Sequence, residues 1–415
     1  MTTTIKPRYD IVLVGGGIGG SGLATVLARH GLSCLVLEAT DEFPDRTKGE
    51  WVAPWGVLDA RRCGLEDDLR KARGHTITRH IGYDEDLTRE ESEQAQLPLD
   101  ALMPGLPGPL TQRHPDACQA LFDAAATAGA TTLRPVSEVS VKAGEHPEVR
   151  FTHNGSEHTV GCRLVVGADG RNSAVRRQLG FELQHDTPHH LFSGLLVDGA
   201  HAWPAELQVI GTEDDVHYLA FPQGGGRVRL YLGWALPDRH RFSGPAGPLR
   251  FVDTFTRLST LPGGEVLGAA TPVSPCATYP NEDAWLDQPL VPGVVLIGDA
   301  AGWNDPITGQ GLSITFRDIR VLSELLLAGS DWSVAGLQPY ADERRERLRR
   351  LRFSAHLTSV LSNEFGPDAR ARRRRAHERV LAAPELAMTR AIVMIGPELA
   401  PPDAFTEGRW RTLVA

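Results

Sequence analysis

Apolar residues along the chain follow two rhythms. In "YDIVLVGGGIGGSGLATVLARHGLSCLVLEA" two short apolar runs, residues 11–14 and 33–37, show no polar alternation, as strands covered on both faces require. Between them Leu23, Val26 and Leu27 recur at helical spacing and Gly31 follows as a stop. The pattern predicts a strand, a helix and a second strand. A third unalternated run, 164–166, leads into Gly167-Ala168-Asp169-Gly170, with Ser173 placed to cap a helix that holds Arg176. A fourth opens "VVLIGDAAGWNDPITGQGLSITFRD", stops at Gly298-Asp299 and resumes with helical spacing over 312–327. Between 181 and 288 the runs 191–197, 207–210, 216–221 and 228–234 read as strands of an antiparallel sheet. Beyond residue 330 the pattern is mostly helical.

The turn after the first strand fits GxGxxG through Gly15, Gly17 and Gly20, with Ile18 and Gly19 opening the helix. The first glycine permits the tight turn, the second lets backbone approach a pyrophosphate, and the third lets helix and strand pack closely. Free N–H groups at a helix start bind phosphate. Glu38, followed by Ala39, ends the second strand, where a carboxylate accepts both ribose hydroxyls and repels a 2′-phosphate. The expected ligand is therefore FAD or NAD. Gly224-Gly225-Gly226 does not repeat the fingerprint, so a single tightly held nucleotide is expected.

Composition narrows the setting. The chain has 415 residues, 41% apolar and 23% charged, with a net charge of -9. It is long enough for two domains, and its charge gives no support for binding nucleic acid or an anionic membrane. Six glycines within residues 11–28 argue against a signal peptide or membrane helix there. The five cysteines have no CxxC spacing, so reduced thiols in a cytoplasm are expected and no metal site is. The chain is expected to act as a monomer or homodimer.

Taken together, the three separated motifs resemble the single-component FAD-dependent aromatic hydroxylases of the para-hydroxybenzoate hydroxylase-like group, over residues 9–327. That resemblance implies that Gly15, Gly17, Gly20 and Glu38 hold the ADP half of FAD. It places Asp169 and Gly170 near the pyrophosphate and gives Asp299 a ribityl hydroxyl. Arg46, in "RTKGEWVAP", and Arg113, in "LTQRHPDACQALF", match arginines beside the cofactor. Gly298 and Asp299 then end a strand at a ligand-binding crevice, and Pro306 stiffens the turn. Gly309, Gln310, Gly311 and Leu312 present backbone N–H groups to the flavin N1–C2=O edge. Many members carry His where this chain has Gly302, and Asn where it has Ser313.

The implied fold is α/β: a Rossmann-like FAD-binding domain in three pieces, 1–73, 111–180 and 289–330. A substrate domain is inserted as 74–110 and 181–288, its mixed sheet largely antiparallel, and a helical C-terminal region covers 331–415. NAD(P)H is expected as a transient electron donor and O2 as co-substrate, with hydroxylation of a phenolic or polyketide-like aromatic through a flavin C4a-hydroperoxide. A base to activate a phenol is sought among His75, His80, Tyr83, His190, His217, Tyr218 and Arg229, with none singled out. Trp51 and Trp55 line the site or pack the core. The rivals are a geranylgeranyl reductase-type flavoenzyme, a flavin-dependent halogenase (for which "HYLAFP" lacks the tryptophan pair) and a non-enzymatic flavin scaffold. The basic runs 344–352 and 370–379 are expected to be solvated helix faces.

Overall fold

A computed structural model describes residues 4–45 and 49–415. Its first sheet has six strands in the order Leu290–Val291, Val294–Leu296, Leu164–Gly167, Ile11–Val14, Cys34–Leu37, Thr131–Leu133. All pairings are parallel except that of the Leu290–Val291 edge. The central strands are short and apolar because both faces are covered, one by helices and the other by Val136, Val141, Val149, Phe151 and Val160 of an antiparallel layer. Ile18–Arg29, His114–Thr127 and Gly311–Ala328 pack on one side, burying Leu13, Leu23, Val36, Leu121, Phe316 and Ile319 in a common core.

The register decides where the site lies. Val14 pairs with both Leu37 and Gly167, and Gly167 pairs with Leu296. The residues that follow, Gly15, Glu38, Ala168 and Ile297, therefore share one edge at the carboxyl ends of the strands, where open α/β sheets bind ligands. All three widely separated motifs arrive there.

The second large sheet runs Thr271–Pro272, His190–Asp198, Arg227–Trp234, Val216–Gly224, Leu207–Glu213, Arg79–Asp84, Leu97–Pro98, with Ala277–Asn281 also paired to His190–Asp198. It is antiparallel apart from Arg79–Asp84, which runs parallel to Leu207–Glu213. One face packs on Phe251 and Phe255 of the helix Gly247–Arg257. The other turns inward and touches Ile307 of the Pro306–Thr308 turn. A further antiparallel layer, Val136–Lys142, Glu148–His153 and Ser156–Gly161, was not anticipated from the sequence pattern.

The helix Val334–Ser362 is the longest of the C-terminal region and meets the first sheet where the Tyr340 hydroxyl donates to the Leu296 carbonyl at 2.9 Å. The basic stretch at its centre departs from expectation. Arg344 and Arg347 are buried at 0% and 3% exposure, not solvated. The later run, on helix Pro367–Ala382, is neutralised locally: Arg370 pairs with Asp86, Arg372 with Glu364, and Arg373 with Asp84 and Glu85. Among the described residues no helix is long and apolar enough to cross a membrane.

Candidate FAD and substrate site

The glycine turn is shaped by close backbone approach. Gly15 has φ +106°, and a Cβ there would lie 2.4 Å from the Ala168 oxygen. A Cβ on Gly20 would lie 1.9 Å from the Gly15 oxygen. At Gly17 the same construction meets nothing within 4 Å. The turn is thus packed against protein on two glycines and open on the middle one, the arrangement a pyrophosphate needs. Helix Ile18–Arg29 has no side-chain cap, so its first N–H groups, at Ile18, Gly19 and Gly20, remain available to an anion. The Ile18 side chain itself is in the core, and Ala39 is exposed.

Glu38 is pinned from both sides. One carboxylate oxygen accepts the Gly16 N–H at 2.8 Å, and the other accepts the Thr40 N–H at 2.9 Å and the Thr40 hydroxyl at 2.7 Å. It therefore orders the glycine turn as well as facing the edge. Glu38→Ala is expected to weaken FAD about tenfold, from the lost charged acceptor (~1.4 kcal/mol). Titration of FAD and of free ADP into the apoprotein checks this, with both weakened alike.

Asp169 serves the protein rather than open space. Its carboxylate accepts the Ser173 hydroxyl at 2.5 Å and the Ala174 and Val175 N–H groups at 2.6 and 3.1 Å, capping helix Ala174–Gln178. Its backbone nitrogen nevertheless touches the Gly15 turn, 2.8 Å from where a Cβ on that residue would stand. Gly170, at φ +74°, again faces open space. The next residue, Arg171, donates to Asp299 at 3.3 Å and lies over the Trp303 ring. Arg176 donates to the Arg171 and Ala300 carbonyls at 2.7 and 3.0 Å, tying the second motif to the third.

The third motif is braced from beneath by buried charge. Asp318, fully buried, accepts the Gly298 N–H at 2.8 Å and pairs with Arg344 at 3.1 Å and Arg347 at 2.6 Å. Arg344 also donates to the Gly298, Ala301 and Gly302 carbonyls at 3.0, 3.2 and 3.3 Å. Burial pushes the Asp318 carboxyl upward, but the two guanidiniums and the Gly298 N–H outweigh it and hold the group below the ordinary carboxylate value. The whole Gly298–Ala301 turn is thereby fixed, with the Asp299 side chain left about one-third exposed at the edge.

Gly302 has a local cause. At φ +110° it pairs antiparallel with Trp285, and a Cβ would lie 2.4 Å from the Ala284 oxygen. His does not fit this backbone. Gly302→His is expected to cost about 3 kcal/mol from overpacking and left-handed strain, read as a lower denaturant midpoint. Ser313 is equally local. Its hydroxyl accepts the Ala53 N–H at 3.0 Å, and it packs where Gly56 brings helix Pro54–Arg62 close.

Pro306 opens a short turn that ends at Gly309, φ +66°. Gln310 is buried and accepts the Trp55 indole N–H at 2.9 Å, while its amide donates to the Thr308 and Val393 carbonyls at 2.6 and 3.2 Å. Helix Gly311–Ala328 then begins without a side-chain cap, and Gly311 faces open space. Leu312 points into the core, leaving its backbone as the part presented at the helix start. Arg113 stands at the start of helix His114–Thr127 beside Asp116 and Asp45, at 3.4 and 3.7 Å. Arg46 lies outside the described residues.

The inward face of the second sheet closes the site. Trp51 covers Gly309, its ring 3.1 Å from where a Cβ would stand, and donates to Gln208 at 3.0 Å. Phe221 lies 6.1 Å from Trp51 and 6.2 Å from Tyr231 between ring centroids. Arg229 is buried against Glu50, whose carboxyl burial pushes up despite that partner. Of the candidate bases, Tyr83 and Tyr218 belong to the opposite core, and His75 bonds the Ala205 carbonyl at 2.6 Å. His190 sits between Asn281 and Ser359, and burial drives it down to about 3. His217 meets Thr212 at 3.1 Å and is likewise held at about 3 by burial and by Arg390. His217 and Tyr218 do face opposite ways, as strand neighbours must.

Several contributors escaped the sequence reading: Asp318 and Arg344 beneath the turn, Arg171 beside Asp299, and Tyr231 and Tyr279 on the inward face. Tyr231 carried a usable signal, since it stands two residues from Arg229 on one strand and so shares its face. Asp318 had another, an acid on the helix that follows Gly298-Asp299 with no basic residue three or four positions away on either side.

With this geometry in place, comparison with known proteins is direct. Residues 8–355 match the family model described as an FAD binding domain. The 6-hydroxynicotinate 3-monooxygenase of Bordetella bronchiseptica is 26% identical over 386 residues, covering 88% of this chain and 94% of that protein. An archaeal relative, the digeranylgeranylglycerophospholipid reductase 2 of Methanothermobacter thermautotrophicus, is 27% identical over 328 residues and covers 77% of each. The structure of p-nitrophenol 4-monooxygenase PnpA from Pseudomonas putida superposes with a TM-score of 0.78 at 21% identity, over 96% of this chain and all of that one. The chain belongs to the FAD binding domain family and is an FAD-dependent oxidoreductase. FAD is its cofactor.

Proposed function

We propose that this enzyme hydroxylates an aromatic small molecule, using NAD(P)H and O2. In the balanced reaction one oxygen atom enters a ring C–H bond and the other leaves as water, with two electrons from NAD(P)H and one proton taken up. The residues fit the cofactor on the evidence of the backbone: Gly17 and Gly311 open onto space while Gly15 and Gly20 are sealed against protein. Gly15 to Gly20 and Glu38 would hold the adenosine and pyrophosphate, Asp299 the ribityl chain, and Gly309 to Gly311 the flavin ring. Bound FAD supplies the activation of dioxygen. The single observation that carries this reading is that Trp51, over Gly309, continues into an aromatic face formed by Phe221 and Tyr231.

The chain's own residues do the rest. Tyr231 and Tyr279 are held neutral by burial, each with its phenol pushed above the ordinary value, so they present hydrogen-bonding hydroxyls to a ring. The inward sheet face excludes water, which limits wasteful release of hydrogen peroxide. A flavin-dependent reduction without oxygen transfer is the second reading, favoured by the archaeal reductase relative. Incubation of holoenzyme with NAD(P)H, ¹⁸O2 and a panel of phenols, hydroxypyridines and polyketides separates the two by mass. Hydroxylation predicts one labelled oxygen in the product. A product reduced without label sinks it.

A further inference from the structure

The carboxyl edge of the first sheet continues past Glu38 to the next strand. The Glu38 N–H donates to the Leu133 carbonyl at 3.0 Å, and the Glu38 carbonyl accepts the Val136 N–H at 2.9 Å. Arg134, the residue after strand Thr131–Leu133, is therefore fixed beside Glu38 by backbone bonds on either side of it. One ring separates this arginine from the glycine turn. A Cβ on Gly16 would stand 3.0 Å from Phe122, and the Arg134 guanidinium carbon lies 4.7 Å from the centre of that same ring. Phe43 meets Phe122 edge-on at 5.9 Å and places a second ring 5.4 Å from the guanidinium.

The cation so placed has no polar partner. Arg134 is half-buried, and its Nη1 is fully buried without a hydrogen bond. Among the described residues Arg134 forms no hydrogen bond or ion pair. The carboxylate beside it, Glu38, is turned to Gly16 and Thr40. By contrast Arg317, Arg344 and Arg347 each bond a carboxylate. Ala39, which follows Glu38, is exposed and too short to cover a base. A guanidinium backed by two aromatic rings offers a flat, positively charged surface, and purine bases stack on such a surface.

We propose that Arg134, held on Phe43 and Phe122, is the wall of the adenine pocket, its guanidinium plane receiving the adenine ring of FAD while Glu38 takes the ribose. The inference goes beyond the reaction and does not depend on it. It makes the base itself, and not the pyrophosphate alone, a source of the choice of FAD over FMN.

The test is binding to the apoprotein, read by calorimetry for ADP and by flavin fluorescence for FAD and FMN. Arg134→Gln is expected to weaken FAD and ADP each about tenfold, the size of one base-stacking contact. FMN, which carries no adenine, should bind variant and parent alike, and the urea midpoint should not move. Arg134→Lys keeps the charge without the plane and should recover only part of the loss. Phe43→Ala removes one backing ring and should shift FAD and ADP in the same direction as Arg134→Gln. Unchanged FAD and ADP affinity in Arg134→Gln overturns the proposal, and so does full recovery by lysine. A loss for FMN equal to that for FAD also overturns it, because the arginine would then only support the fold. An effect confined to the KM for NAD(P)H does the same, because the adenine would belong to the electron donor. A holoenzyme that transfers oxygen to no aromatic, yet loses FAD and ADP but not FMN in Arg134→Gln, would sink the hydroxylase reading and leave this site standing.

Discussion

Gly20→Ala yields a protein that is purified nearly colourless. The added Cβ would lie 1.9 Å from the Gly15 carbonyl oxygen, a backbone atom at the core of the turn. The turn cannot yield on its other side, because Gly15 already abuts the Ala168 carbonyl of the neighbouring strand. The helix start must therefore swing away from the strand, carrying the Ile18 and Gly19 N–H groups out of line. FAD affinity is expected to fall at least about a hundredfold, roughly 2.7 kcal/mol. Gly17→Ala is the informative partner. Its Cβ meets no protein atom, so the apoprotein should keep its stability while FAD still weakens, because the methyl occupies the space left for phosphate. Fluorescence titration of FAD, set beside urea unfolding of both apoproteins, separates the two effects. Equal FAD affinity in Gly20→Ala and the parent would remove the first motif from the account.

The second large effect is at Arg344. Arg344→Ala strands Asp318 with one guanidinium and leaves three turn carbonyls without their donor. Removing one member of a buried ion pair costs about 3–5 kcal/mol, and here the loss falls on the turn that presents Asp299. Both the denaturant midpoint and FAD retention should drop, whereas Arg349→Ala, on an exposed face of the same helix, should alter neither. The pH dependence carries the same signature. Asp318 is held below its unfolded value, so its contribution is fully present above the ordinary carboxylate range and is lost as pH falls through its lower folded value. Acid unfolding should therefore begin at a higher pH in Arg344→Ala than in the parent.

What the sequence disclosed, and what it hid, follows from the range of the interactions. The strand Ile11–Val14, the glycine turn and the helix Gly311–Ala328 were legible because apolar runs and glycine spacing are local signals. The segments around Asp169 and Asp299 were visible too, but the sense of Asp169 was not. Its carboxylate caps the helix that follows it, a choice made by Ser173, Ala174 and Val175 in three dimensions. Arg344 and Arg347 sit in "RRERLRRLR", where composition alone argues for a wet surface. Their burial depends on Asp318, 26 and 29 residues earlier in the chain. Gly302 was noticed as a departure, and its reason is the Ala284 carbonyl of a strand that only the folded chain brings near. The inward aromatic face was half legible. Alternation predicted that His217 and Tyr218 diverge, but not which face met the Pro306–Thr308 turn.

At the centre of the account, three distant segments meet at the carboxyl edge of one sheet to hold FAD, with the start of helix Gly311–Ala328 turned to the ring. A crystal structure of the FAD-reconstituted protein tests this most directly. The account predicts pyrophosphate density over Gly17 and the flavin pyrimidine edge within hydrogen-bond reach of the Gly311 and Leu312 N–H groups. Flavin density remote from both glycines, or a protein that takes up no FAD at all, would contradict it.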